Sequence, residues 1–245
     1  MKGIILAGGK GTRLYPLTRH TNKHLLPVGR EPMIYNPVKN LLACGVKEIL
    51  VVTSSIYMGD IVTSLGSGIE FGADFTYKVQ EEAKGIADAL YLGKRFAGDD
   101  SVFVLLGDNI FEQPLNHFVH NYITKQDGKG ARVMLVKVDN PSSFGIAALD
   151  EKKVLEIQEK PENPKSDYAV VGAYLYDTQI WKIIEDLSPS NRGEYEITDV
   201  NNTYIAKGEL EFDFVRGMWM DTGTFDSYHR ANEILFSHME GRDKH

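Results

Sequence analysis

Five charged side chains in this chain are candidates for contact with a ligand: Arg13, Lys23, Asp108, Lys160 and Asp221. Arg13 closes Leu6-Ala7-Gly8-Gly9-Lys10-Gly11-Thr12-Arg13, a glycine turn straight after the apolar run Gly3-Ile4-Ile5-Leu6. Glycine lets a chain turn with positive φ and approach a ligand without a Cβ in the way. Successive free amide N–H groups then form an anion-binding concavity, to which Arg13 adds a fixed charge with several donors. The chemistry suggested is a cradle for phosphates at the mouth of a first strand. Two nucleotide fingerprints fail here. Leu14 stands where the third glycine of G-x-G-x-x-G belongs, and no Gly-Lys-Ser/Thr closes a P-loop. A glycine-rich surface turn without a ligand is the competing reading of the loop alone.

Asp108 follows the apolar run Val102–Leu106 through Gly107, and Asp221 sits in Trp219-Met220-Asp221-Thr222-Gly223-Thr224. Two carboxylates plus phosphate oxygens make the oxygen-rich, incompletely protein-ligated shell that Mg²⁺ prefers. Asp221 alone reads equally well as a turn or N-cap aspartate. Lys160 precedes Pro161, which restricts its backbone and helps aim its side chain. Taken singly, Lys160 and Lys23 also read as solvated lysines.

The elements that must carry these residues alternate in the first half. Gly3–Ala7, Glu48–Thr53 and Val102–Leu106 read as strands buried on both faces. Met33–Cys44, Met58–Leu65 and Ile86–Phe96 carry apolar residues at helical spacing, with Pro37 predicting a kink or a late start. Such alternation implies a parallel, doubly wound sheet that binds ligands at the carboxyl ends of its strands. After about Lys129, Val133–Val138, Gly145–Leu149, Val154–Glu159 and Ala169–Tyr176 read as strands. Thr178–Leu187, Glu196–Ala206 and Phe225–Met239 read as helices. No repeat or linker divides the chain, so 1–245 is expected to be one domain, with a nucleotide-binding half to about 128 and a second half from 129.

Composition narrows the class. The 245 residues can bury roughly 70–75% of their unfolded surface. The net charge of −7 argues against nucleic acid or an anionic membrane as partner, so positive groups must be clustered locally for any phosphate. One cysteine, Cys44, excludes an internal disulfide and suits a reducing compartment. The apolar start breaks at Gly8, unlike a signal peptide, and no run approaches the roughly 18 apolar residues that span a bilayer. A cytoplasmic protein is expected. His117 and His120, spaced i, i+3, lack the companion ligands of a metal site.

Together, six stretches resemble the sugar-1-phosphate nucleotidylyltransferases, in the family's order from end to end. They are Gly3–Leu14, Lys23-His24-Leu25-Leu26-Pro27-Val28, Leu106-Gly107-Asp108-Asn109-Ile110-Phe111, Glu159-Lys160-Pro161, Arg192–Asp199 and Trp219–Thr224. The resemblance implies a three-layer, Rossmann-like α/β fold, with a mixed, mostly parallel sheet between helices on both faces. It implies transfer of a nucleotidyl group from dTTP to glucose 1-phosphate, with UTP as the alternative donor, Mg²⁺ as cofactor and a homo-oligomeric assembly. Leu6, Ala7, Gly8, Gly9, Gly11, Thr12, Arg13, Lys23 and Asp108 would hold the nucleotide, and Gln80 and Gly85 would read its pyrimidine. Asp108 and Asp221 would hold Mg²⁺. Asn109, Gly145, Glu159 and Val170 would contact the sugar, and Lys160 its phosphate. Such a reaction needs no general base, because a phosphate monoester with a second pKa of about 6 is already an anionic nucleophile.

The chain departs from the family's pattern at Phe144, where a Tyr is usual, and at Val171, where a Thr is usual; both remove a hydroxyl near the sugar. Longer relatives add a C-terminal helical segment that helps build a regulatory site. A catalytically silent sugar-nucleotide-binding subunit is the reading from another class, and the five intact charges argue against it. A NAD-type enzyme stands third, since Ile34 and Tyr35 occupy the region of the acidic ribose-binding residue.

Overall fold

The computed structural model of the chain describes residues 1–150 and 153–242, in backbone alone from 238 onward. In chain order its elements are β1 (Lys2–Ala7), a short hairpin of β2 (Pro27–Val28) and β3 (Glu31–Pro32), α1 (Tyr35–Ala43), β4 (Glu48–Ser54), α2 (Met58–Leu65) and β5 (Asp74–Gln80). Next come α3 (Ile86–Tyr91), α4 (Lys94–Ala97), β6 (Val102–Leu106), β7 (Asn109–Phe111), α5 (Asn116–Gln126) and β8 (Ala131–Lys137). Then follow β9 (Gly145–Asp150), β10 (Lys153–Glu159), β11 (Tyr168–Tyr176), α6 (Gln179–Glu185), α7 (Ile197–Lys207), β12 (Leu210–Phe214), β13 (Trp219–Asp221) and α8 (Phe225–Arg242).

Apolar runs in β1, β4 and β6 place alternate side chains on opposite faces of one nine-stranded sheet. Ile4, Leu6, Leu50, Val52 and Val104 pack with α3, α4, α6 and α7, whereas Ile5, Ala7, Val51 and Phe103 pack with α1, α2 and α5. Hence the three layers. The strand order β10-β9-β11-β6-β1-β4-β5 carries β8 and β12 beside β11. β1, β4, β5 and β6 pair in parallel, and β12 pairs β8 in parallel, while β10 and β11 run against the others.

Strand β11 is where the two halves of the chain meet. Its start pairs with β9 and its end with β6, and its ladder with β8 slips between Val171 and Tyr174. Gly172, inside that slip, donates its N–H to Asn109 Oδ1 at 3.0 Å. A third, smaller core of Leu14, Leu26, Met33, Ile110, Met220 and Ala231 fastens α8 beneath the β7–β13 ribbon.

Two helices depart from the sequence reading. The expected helix from Met33 starts at Tyr35, which leaves Pro37 in the first turn where no intrahelical N–H is lost. The expected Ile86–Phe96 helix breaks into α3 and α4 at Gly93. A Cβ on Gly93 would stand 2.6 Å from Ile4 Cδ1 and 3.1 Å from Leu90 O, so a side chain there would press on the buried end of Ile4. Alanine there would gain up to about 1 kcal/mol from the unfolded state. It would lose about 1–3 kcal/mol to overpacking. Gly93→Ala is therefore expected to lower unfolding stability by about 1–2 kcal/mol, read from the denaturant midpoint.

Candidate active site

Asp108 and Asp221 lie far apart in sequence and are brought together by the antiparallel β7–β13 ribbon. Its register sets Asp221 opposite Asn109, one residue beyond Asp108. Thr222, fully buried, locks the pair: its N–H and its hydroxyl both donate to Asp108 O, at 3.0 and 2.7 Å. Asn109 positions the carboxylate itself. Its Oδ1 accepts from Gly172 N–H and from Trp219 Nε1–H at 2.8 Å, which aims its Nδ2–H at Asp108 Oδ1, 3.1 Å away. Asn109 was expected to touch the sugar. Its amide faces inward on both sides, although the residue also borders the cleft described below.

The two carboxylates have opposite electrostatics. Burial opposes charge on Asp108, but the Lys23 ammonium, paired with its Oδ2, overcomes that and holds it well below the usual carboxylate range. Asp221 is pushed up to about 6, by burial first and then by the neighbouring Asp108 charge. Lys23, the N–H of Gly223 and Arg13 restrain that rise. This pair crowds negative charge at one point, as a site for a divalent cation does.

Behind Lys23 lies an uncharged support. Asn22 accepts from the His24 backbone N–H at 2.8 Å and from His24 Nδ1–H at 2.6 Å. His24 is 2% exposed. Burial, and then the Lys23 charge, depress its pKa to about 3, so the imidazole is neutral at physiological pH. Its ring packs on Gly107, where a Cβ would stand 2.7 Å from Cδ2.

The glycine loop wraps this lysine. Cβ atoms on Gly9 and Gly11 would stand 3.1 and 3.0 Å from the Lys23 side chain, and Gly11 has φ +63°. Thr12 opens only a single 3-10 turn, so the loop does not lead into an α-helix. Gln80, from the end of β5, reaches Gly8 with its Oε1 and Gly85 O with its Nε2–H. Glycines 8, 9 and 11, Lys23, Gln80 and Gly85 are thus one cluster. Leu6 and Ala7 are different: their side chains are buried, and their carbonyls already accept from Gly107 N–H and from Asn22 and Thr53. Each has no more than backbone to offer a ligand.

Beside the cluster opens a cleft of about 640 Å³. Arg13, Asp108, Asn109, Gly145, Glu159, Lys160, Val170 and Asp221, all expected at the site, line it together with Phe144 and Val171. Pairing of β9 with β10 and β11 sets Gly145 beside both Glu159 and Val170. Glu159 accepts from Thr198 Oγ1–H at 2.6 Å and faces Arg192 at 3.4 Å. Lys160 has φ +43°, not the extended backbone expected before proline. Its N–H donates to Phe144 O at 3.0 Å, which holds this strained turn, and its ammonium lies 3.8 Å from Glu159 Oε1. Phe144 stacks edge-on against Trp219, with ring centroids 5.7 Å apart, so the residue lacking the usual hydroxyl serves as a wall. Sequence reasoning missed Thr198 and Thr222, whose hydroxyls hold Glu159 and Asp108. It also missed Arg230, which lines the cleft from α8.

Other reactive residues have quieter roles. Burial raises the Cys44 thiol pKa to about 11, which makes it a poor nucleophile. Among the described residues no group of three or more His, Cys, Asp and Glu side chains is placed to hold a metal, and no helix is long and apolar enough to cross a membrane.

The family pattern described as nucleotidyl transferase matches residues 2–237. A glucose-1-phosphate thymidylyltransferase of Neisseria meningitidis serogroup A is 43% identical over 96% of this chain and 82% of its own. One from Mycolicibacterium smegmatis is 42% identical with the same coverage. Among solved structures, a Bacillus anthracis protein assigned as a glucose-1-phosphate thymidylyltransferase, crystallised with sucrose, superposes with a TM-score of 0.91 at 51% identity, covering 96% of this chain and 95% of its own. A UDP-glucose pyrophosphorylase bound to UDP-glucose shares the fold at a TM-score of 0.85 and 24% identity, covering 96% and 98%. The glycine loop, the aspartate ribbon and the cleft at its side are those of a chain that belongs to the nucleotidyl transferase family.

Proposed function

We propose that this chain transfers the thymidylyl group of dTTP to glucose 1-phosphate, giving dTDP-glucose and pyrophosphate. The observation that carries the reading is the juxtaposition of Asp108 and Asp221 between a lysine-filled glycine loop and a cleft edged by Lys160. In this reading residues to about 128 hold the nucleotide and those from 129 the sugar phosphate, within the cytoplasm. A phosphate oxygen of the sugar attacks the α-phosphorus in line; the new O–P bond forms as the bond to pyrophosphate breaks. No proton need be removed from the nucleophile near pH 7. The protein's work is positioning two polyanions and stabilising charge on the leaving group.

Gly8, Gly9, Gly11 and Thr12 offer backbone donors to the triphosphate, and Arg13 meets the departing pyrophosphate. Lys23 keeps Asp108 ionised and stands by the phosphates. The donor set suits Mg²⁺: two carboxylates with coordination left over for phosphate oxygens and water, held by Asp108 and Asp221. The ion would supply charge neutralisation at the α-phosphate. Gly145, Glu159 and Val170 frame the sugar, and Lys160 binds its phosphate.

Pyrophosphate release over a panel of dTTP, UTP, dCTP and ATP against several sugar 1-phosphates tests the proposal. Release greatest with dTTP and glucose 1-phosphate is expected; none with any pair would leave a nucleotide-sugar-binding subunit instead. Lys160→Ala is expected to raise KM for glucose 1-phosphate about tenfold to a hundredfold, the worth of one charge-assisted hydrogen bond, with KM for dTTP unchanged. Initial rates with each substrate varied in turn read the split.

A further inference from the structure

We infer that Asp88 is a positioning residue that sets which nucleobase this site accepts, by fixing the direction of the Gln80 amide. The inference rests on the nucleotide reading above and names its substrate class more closely. Gln80 is 9% exposed at the end of β5. Its Nε2 donates to Asp88 Oδ2 at 2.7 Å and to Gly85 O at 3.3 Å. A backbone carbonyl accepts and never donates, and an ionised carboxylate does the same. An amide flipped by 180° would set Oε1 against two acceptors. The amide therefore has one orientation, with its Oε1 turned toward Gly8, where a Cβ would stand 3.0 Å away.

The frame around this pair is rigid. Gly85 has φ +101°, and a Cβ there would stand 2.5 Å from Tyr195 O, so the loop lies flat on Tyr195. Tyr195 N–H donates to Lys84 O at 2.8 Å, and Ala87 N–H donates back to Tyr195 O at 3.2 Å. Asp88 follows in the first turn of α3. Gln80 can then offer a base nothing but an acceptor, and the partner that satisfies it is a ring N–H. Thymine and uracil carry such a donor at N3; cytosine presents a lone pair there. A buried acceptor facing a lone pair is left unmatched, which is the strong form of discrimination. Asp88, which needs no contact with the nucleotide, thereby selects an imide-bearing pyrimidine.

The test is titration calorimetry of dTTP and dCTP binding, alongside turnover with both, for the wild type, Asp88→Asn, Asp88→Ala and Asp88→Glu. Asn can donate as well as accept, which leaves the longer bond to Gly85 O as the single constraint on the Gln80 amide. Asp88→Asn is expected to cut the preference for dTTP over dCTP about tenfold or more, through KM and Kd rather than kcat. Asp88→Glu, still acceptor-only, is expected to keep most of that preference. Unchanged preference in both Asp88→Asn and Asp88→Ala would overturn the inference, as would an equal loss with both nucleotides accompanied by a lowered Tm. Binding preference is read without turnover. A wild type that prefers dTTP in binding yet releases no pyrophosphate would defeat the transferase reading and leave this one standing.

Discussion

Asp108→Asn is expected to lower kcat/KM by about a hundredfold to a thousandfold, roughly 3–4 kcal/mol of transition-state stabilisation, while leaving the fold intact. The substitution is nearly isosteric, and the Oδ1 that accepts from Asn109 is retained. What disappears is the negative charge that Lys23 holds in place. Two consequences separate this from a general loss of structure. Activity should respond weakly to added Mg²⁺, because one of two carboxylates is gone. Asp221 should titrate below its value of about 6, since the neighbouring charge that helps raise it has been removed. Steady-state kinetics over a magnesium series and carboxylate titration by NMR read the two effects. Wild-type rates for Asp108→Asn at low Mg²⁺ would sink the assignment.

Asp221→Asn is expected to inactivate the enzyme and, without divalent metal, to stabilise it above pH 6. The Asp221 pKa rises from 3.8 to about 6 on folding. Below about pH 3 the carboxyl is largely protonated in both folded and unfolded chains and carries almost no penalty. As pH rises to 6, the unfolded chain ionises first and the folded state falls behind. Above pH 6 the handicap is complete, about 3 kcal/mol for a shift of two units. Asn removes the charge and keeps the Oδ1 that accepts from Gly223 N–H at 2.8 Å. The stability difference between variant and wild type should therefore be small at pH 4 and largest at pH 7–8. Urea unfolding at a series of pH values measures it, and Mg²⁺ should narrow it. A difference independent of pH would mean that Asp221 is not under electrostatic strain. His24 does not blur this comparison, because its depressed folded pKa adds the same pH dependence to both proteins.

Legibility in the sequence followed burial. Val102–Leu106 and Gly3–Ala7 are apolar on both faces and reveal themselves as strands without help from neighbours. β5 and β12 were not foreseen: Thr76 and Lys78 alternate with apolar residues because one side of β5 lies open, and in β12 Asp213 is turned inward to pair with buried Arg132. The charged residues were legible because each broke an apolar run or adjoined a glycine or proline. Their partners were not. Thr198, Thr222 and Asp88 act through hydrogen bonds to residues from 8 to 114 positions away, and no local pattern marks such a pairing. The backbone at Lys160 was misjudged for a related reason. A proline sets a local preference, but the carbonyl of Phe144 draws the lysine into a left-handed turn that only the folded strands can impose.

The β7–β13 ribbon also makes catalysis a report on folding. Asp108 and Asp221 meet through a bond spanning 114 residues, Thr222 to Asp108, and neither half of the chain holds both carboxylates. The parallel pairing of β1, β4, β5 and β6 uses no residue of β13. During refolding, recovery of secondary structure should then run ahead of recovery of turnover. A polypeptide nicked between α7 and β13 should keep its sheet longer than its chemistry. The last strand in the chain is the one that completes the site, because β13 carries Asp221 to Asp108.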